Sequence, residues 1–195
     1  MYKDLSELFE SIVSENETFN ASLQIVKENS LDGRIWLIGG FVYRNLVNSL
    51  YGKSSLIKDI DFIIEKPKAL IELPEGWKAE KNRLSNPKFI EVYSGFAIDF
   101  VPLEKVHGLL PQDYPPKIKD YLRLAPLNLG SLAYDTNAKI LIGGEGILGI
   151  MQKIISVNNL EIALAQAKRN NTTINEIMME KAKELGFEAR LIKEK

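Results

Sequence analysis

Apolar residues follow two different periods along this chain, and the switches between them mark out its elements. Leu5, Leu8, Phe9, Ile12 and Val13 recur at helical spacing, and a second helix is expected over Ala21–Lys27. Ser-Leu-Asp-Gly at 30–33 reads as a turn before a short apolar strand, Arg34–Ile38, which ends in Gly39-Gly40. Helical spacing returns in Val42, Leu46 and Leu50, with Gly52 as a stop. Period-two alternation then takes over in Lys58–Ile64. Beyond a loop marked by Pro67, Pro74 and Gly76, the segments Trp77–Asn82, Lys88–Tyr93 and Phe96–Val101 read as an antiparallel meander, with turns at Asn86-Pro87 and Ser94-Gly95.

The stretch broken by Pro111, Pro115 and Pro116 is irregular. Lys117–Leu124 reads as a helix, and Leu129–Tyr134 with Lys139–Ile142 as a short hairpin or a helix plus a strand. The pair Gly143-Gly144 reads as a turn and cap. After Gly149 the character changes: Leu160–Lys168 and Ile174–Leu185 are helix-like, joined by Asn-Asn-Thr-Thr and closed by Gly186. Met178 and Met179, with Ile174 and Ile177, are assigned to the buried face of the last helix.

The alternation in Asp59-Ile60-Asp61-Phe62 carries the chemistry. Side chains of a strand alternate between faces, so Asp59 and Asp61 project together while Ile60, Phe62 and Ile64 enter a core. Two carboxylates side by side repel and lose hydration, a poor arrangement without a compensating cation. Asp99, again flanked by apolar residues on alternate positions, is a third candidate. Phosphoryl transfer with two metal ions needs carboxylates that bridge ions roughly 3.5–4 Å apart. Gly39 and Gly40 let a backbone turn and the next helix N-terminus approach anionic phosphate oxygens. The expected geometry is therefore convergence of Asp59, Asp61 and Asp99 at one end of a sheet, facing the Gly39-Gly40 turn, with carboxyl pKa values raised by mutual repulsion. Acidic residues at an exposed strand edge are the simpler alternative.

Composition narrows the partners. With 195 residues the chain can bury a good core, and Lys+Arg 25 against Asp+Glu 26 leaves it near neutral, which weighs against large-area duplex binding. Lys78, Lys81, Arg83 and Lys88 form a local basic cluster, read first as a solvated hairpin and second as a contact for a nucleic-acid backbone. Without cysteine there are no disulfides or thiolate metal sites. His107 is the single histidine and is assigned a surface or core place. The acidic, amphipathic N-terminus is unlike a secretory signal, and no apolar run approaches the ~18–20 residues of a membrane span, so a cytoplasmic location is expected.

The order Gly-Gly, Asp-x-Asp, lone Asp resembles the nucleotidyltransferase superfamily that includes DNA polymerase β. Leu-Ile-Gly-Gly-Phe-Val-Tyr-Arg-Asn-Leu at 37–46, then Lys-Asp-Ile-Asp-Phe-Ile-Ile at 58–64, is similar to the head domain of class II CCA-adding tRNA nucleotidyltransferases and bacterial poly(A) polymerases. The resemblance spans roughly Arg34 to Val157 and implies an α/β (α+β) polymerase β-like fold, a short mixed sheet flanked by helices. It divides the chain into a head-like domain, 1–157, and a small helical C-terminal extension, 158–195. It further implies Mg²⁺ (or Mn²⁺) held by Asp59, Asp61 and Asp99, and nucleotide contacts from Gly39, Gly40, Arg44, Arg123 and Asn128. The implied reaction moves NMP from an NTP to an acceptor hydroxyl, an RNA or tRNA 3′ end. The chain departs from the family pattern at Tyr43, which fills the family's arginine slot, and around 122–135, where an acidic residue and a Thr are missing. The Glu-Asp-x-x-Arg element that selects bases has no copy. A protein or small-molecule hydroxyl therefore stays open as the acceptor, and a non-catalytic binding or regulatory module stays open as the function.

Overall fold

The computed structural model describes residues 2–31, 33–106 and 116–193. His107 and Pro111 lie outside them. Two helices in contact with each other open the chain, α1 (Tyr2–Ser14) and α2 (Glu17–Glu28). The second is longer than its apolar spacing suggests because Asn16 caps it, accepting a hydrogen bond from the Phe19 N–H at 2.8 Å. Strand β1 (Ile35–Ile38) runs straight into α3 (Gly39–Tyr51), which ends at Gly52 in the left-handed conformation. Then come β2 (Asp59–Ile64), β3 (Trp77–Lys81), β4 (Pro87–Glu91) and β5 (Ala97–Pro102), as the alternation predicts. Past Pro116 the chain forms α4 (Ile118–Leu124), β6 (Ala133–Asp135), β7 (Ile140–Ile142), α5 (Gly144–Gln152) and β8 (Ile154–Ile155). It closes with α6 (Leu160–Asn170), α7 (Ile174–Leu185) and β9 (Glu188–Ala189).

Seven strands form one mixed sheet in the order β3-β4-β5-β2-β1-β6-β7, in which β2 and β5 pair parallel and the other neighbours antiparallel. A mixed sheet flanked by helices is thus present. One face is a continuous apolar core: Leu37, Ile60, Phe62, Ile64, Ile98 and Phe100 pack under α1, α2 and α3. Phe19 stacks on Phe41 and Phe62 with ring centroids 6.0 and 6.2 Å apart. The same core continues into Ile155, Ala163, Ala167, Ile174, Met178, Ala182 and Leu185, so the C-terminal helices share it with the sheet. The opposite face is covered more lightly, by a smaller cluster of Trp36, Ile38, Ile63, Leu103, Val106 and Ala133, with Tyr121 and Leu122 of α4 against it.

Two details differ from expectation. Met179 is 47% exposed, because a step of ~100° per residue carries it off the face that buries Met178. The parallel pairing of β8 with β9, Ile154 opposite Glu188, joins segments too short for a periodic signal. Among the described residues no helix is long and apolar enough to cross a membrane.

Gly143 precedes α5 with φ +111°, and a Cβ there would collide with the Ser131 carbonyl oxygen. Its role is structural, as the sequence suggests. Gly143→Ala combines a left-handed backbone with a clash against fixed main chain, so it is expected to destabilise the fold by about 2–4 kcal/mol in urea unfolding. A midpoint unchanged from the parent contradicts this packing.

Candidate active site

Asp59 and Asp61 occupy alternate positions of β2 and stand on its lightly covered face, while Ile60, Phe62 and Ile64 are fully buried on the other. The parallel register of β2 and β5 sets Asp61 opposite Asp99, and the antiparallel register of β1 and β2 sets it opposite Ile38, the last residue before the glycines. All three carboxylates therefore share one face at one end of the sheet. Gly39, at φ +73°, turns the chain into α3 directly beneath Asp61; a Cβ on Gly39 would strike that carboxylate. Only a glycine allows both the backbone conformation and the approach.

Asp59, Asp61 and Asp99 line an open cleft of about 880 Å³. Its walls are mainly apolar, with Ile38, Val101, Val106, Tyr121, Leu124 and Ile162; Arg83 and Lys88 of the β3–β4 hairpin, Lys105 after β5 and Arg169 of α6 also line it. The Asp61 carboxyl is pushed up to about 7, first by burial and then by the negative charges of Asp59 and Asp99, with Lys88 and Arg44 opposing the rise. Burial also raises the Tyr121 phenol, assisted by the charge at Asp61, so this side chain stays a hydrogen-bond donor.

The remaining expected site residues are placed differently from one another. Arg44 folds back over Gly40 and is clamped by Glu184 of α7, Nε to Oε1 2.7 Å. Burial works against its charge, but Glu184, Tyr43 and Asp59 outweigh that and raise its pKa. Lys181 donates to the other Glu184 oxygen at 2.6 Å and lies 5.6 Å from the Tyr43 ring centroid. Arg123 is 73% exposed and points at Asp120, 3.9 Å away, rather than into the cleft. Asn128 is buried: its Nδ2 donates to the Ile154 carbonyl at 2.8 Å, and its Oδ1 accepts from the Leu129 and Ser156 N–H groups. It ties the 128–131 turn to β8 and does not line the cleft. Asp99 is already engaged, by Asn82 Nδ2 at 2.7 Å and by Lys88 Nζ at 3.4 Å. Sequence reading noted Arg83 and Lys88 only as part of a hairpin cluster. Asn82, Lys105 and Arg169 carry no such signal, being far apart in the chain and brought to the same cleft only by the fold.

The pair Asp59 and Asp61 fits a hard divalent cation such as Mg²⁺ or Mn²⁺: two half-buried carboxylates on one strand, destabilised by each other, offering oxygen ligands. Among the described residues no three Asp, Glu or His side chains are gathered so as to enclose an ion.

No protein-family model and no curated protein sequence matches the chain. Solved structures do. A CCA-adding enzyme in complex with ATP superposes with a TM-score of 0.61 at 18% identity, over 91% of this chain and 40% of that one. A CCA-adding enzyme with CTP gives 0.59 at 20% identity, over 85% and 39%. The Thermotoga maritima CCA-adding enzyme complexed with tRNA gives 0.56 at 15% identity, over 88% and 39%. The chain has a nucleotidyltransferase-like fold. It spans about two fifths of the length of these structures, and at such identities the likeness concerns the fold alone. Within that nucleotidyltransferase-like fold, the strand pair that carries Asp61 and Asp99 is the part the sequence pattern anticipates most directly.

The raised Asp61 carboxyl has a consequence for stability. It binds its proton more tightly folded than unfolded, so its contribution is fully present below the ordinary value of 3.8 and is lost as pH rises to about 7. Asp61→Asn, similar in shape but uncharged, should therefore be more stable than the parent at about pH 8, with the gap narrowing at about pH 5. Urea midpoints of both proteins at the two pH values measure this; a gap that does not change with pH contradicts it.

Proposed function

We propose that the chain is a divalent-cation-dependent nucleotidyltransferase that moves a nucleoside monophosphate from an NTP to an acceptor hydroxyl and releases pyrophosphate. The observation that carries the reading is the seating of Asp61 against Gly39, with Asp59 beside it, at the point where β1 turns into α3. In this reading Asp59 and Asp61 hold an Mg²⁺ or Mn²⁺ ion, which neutralises triphosphate charge when bound. The N-terminus of α3 has no side-chain cap, which leaves its first N–H groups for the anionic oxygens of the triphosphate. Arg44, fixed by Glu184, adds a positive charge next to the same turn. The acceptor oxygen attacks the α-phosphorus, the bond to the bridging oxygen of the β-phosphate breaks, pyrophosphate leaves, and the hydroxyl proton passes to solvent.

For the acceptor, we favour an RNA 3′ end in a soluble setting. The support is the cleft itself, whose apolar walls suit unstacked bases and whose Arg83, Lys105 and Arg169 suit phosphates. The solved structures of similar fold include one complexed with tRNA. The engagement of Asp99 by Lys88 favours a second reading, nucleotide binding without transfer. Labelled NTP with Mg²⁺ or Mn²⁺, offered to total RNA and to cell extract, separates the two. Transfer to RNA is expected, lowered by about 10²–10³-fold or more in Asp59→Ala and Asp61→Ala without loss of stability. Label entering protein or a small molecule instead replaces the acceptor, and no transfer with any NTP from folded protein supports binding alone.

A further inference from the structure

Both oxygens of Asp99 face donors. Asn82 Nδ2 donates to Oδ1 at 2.7 Å, and the Lys88 ammonium lies 3.4 Å from Oδ2. Lys88 is opposite Asp99 in the β4–β5 ladder, and Asp99 is opposite Asp61 in the β2–β5 ladder, so the three positions form one row across the sheet. The lysine charge also bears on Asp61. Side-chain exposure is only 29% for Lys88 and 13% for Asp99. Asn82 is arranged in advance: its Oδ1 accepts from the Leu84 and Asn86 N–H groups at 2.9 and 3.1 Å, and its own N–H donates to the Asn86 carbonyl at 2.9 Å. The β3–β4 turn therefore presents its amide to Asp99 through the fold itself.

A divalent ion ligated by Asp99 would have to share oxygens that already accept from Asn82 and Lys88. Here it would also meet an ammonium within a few ångströms, and like charges at that distance repel strongly in a half-buried site. The positive charge that a second ion would supply is already present and covalently attached. Resting on the nucleotidyltransferase reading above, we propose that the Lys88 ammonium stands in for the second of two divalent ions, so that the chain binds a single ion, at Asp59 and Asp61. Lys88 is then a fixed counter-charge to Asp99, and Asp99 is a positioning residue rather than a metal ligand.

The test is a Mn²⁺ titration of the full chain followed by electron paramagnetic resonance, which counts bound ions and detects coupling between close pairs. The wild type should bind one Mn²⁺ per chain with an uncoupled spectrum. Lys88→Met, or Lys88→Gln if the first variant fails to fold, should bind two with a spin-coupled signal, while Lys88→Arg should stay at one. Two coupled ions in the wild type overturn the inference and leave the nucleotidyltransferase reading standing. One ion in a natively folded neutral variant also overturns it, since Lys88 would not be what excludes the second. No ion bound by any of these proteins overturns the inference and removes the metal-dependent reading beneath it.

Discussion

The parallel pairing of β2 with β5 is the constraint on which the rest of the site depends. It fixes Asp61 opposite Asp99 while burying Ile60, Phe62, Ile98 and Phe100 on the reverse face. A slip of one residue would send the carboxylates into the apolar core and the phenylalanines into the cleft, at a cost no local contact could offset. The core therefore enforces the closeness of the carboxylates. The repulsion is local and small beside the burial of a whole sheet face, so the fold tolerates it.

Around that constraint the chain arranges compensation from several directions. Lys88 comes from the neighbouring strand. Arg44 comes from the first turns of α3, held by Glu184 on the distant α7, with Lys181 on the other oxygen of the same carboxylate. Glu184 thus links the C-terminal helices to the glycine turn, and α7 contributes to the site's electrostatics as well as to the core. The paired carboxylates, the glycine turn beneath them and the fixed cations on two sides thus sit together at one end of the sheet.

What was legible in the sequence follows from periodicity. The alternation of Asp59-Ile60-Asp61-Phe62 and of Ile98-Asp99-Phe100 gives each strand its faces, and apolar runs ending in glycine locate the turn before α3. These are short-range patterns written in consecutive residues. Asn128 lies away from the cleft for a reason the sequence does not display: a polar side chain in a loop looks the same whether it faces a ligand or satisfies the backbone groups of Leu129, Ile154 and Ser156. Arg123 likewise resembles a phosphate contact until the direction of α4 turns it toward solvent. The Lys88–Asp99–Asn82 group could not be read, because it depends on cross-strand register and on a turn whose own hydrogen bonds orient Asn82. The pairing of β8 with β9 depends on tertiary contact alone.

The fold holds Asp61 as a desolvated carboxyl beside Asp59 and Asp99. Site-resolved carbon NMR of the Asp61 carboxyl across a pH titration, in chelated protein free of divalent ions, tests it most directly. Titration near 7 is expected; a midpoint at the ordinary value of 3.8 would contradict a desolvated Asp61.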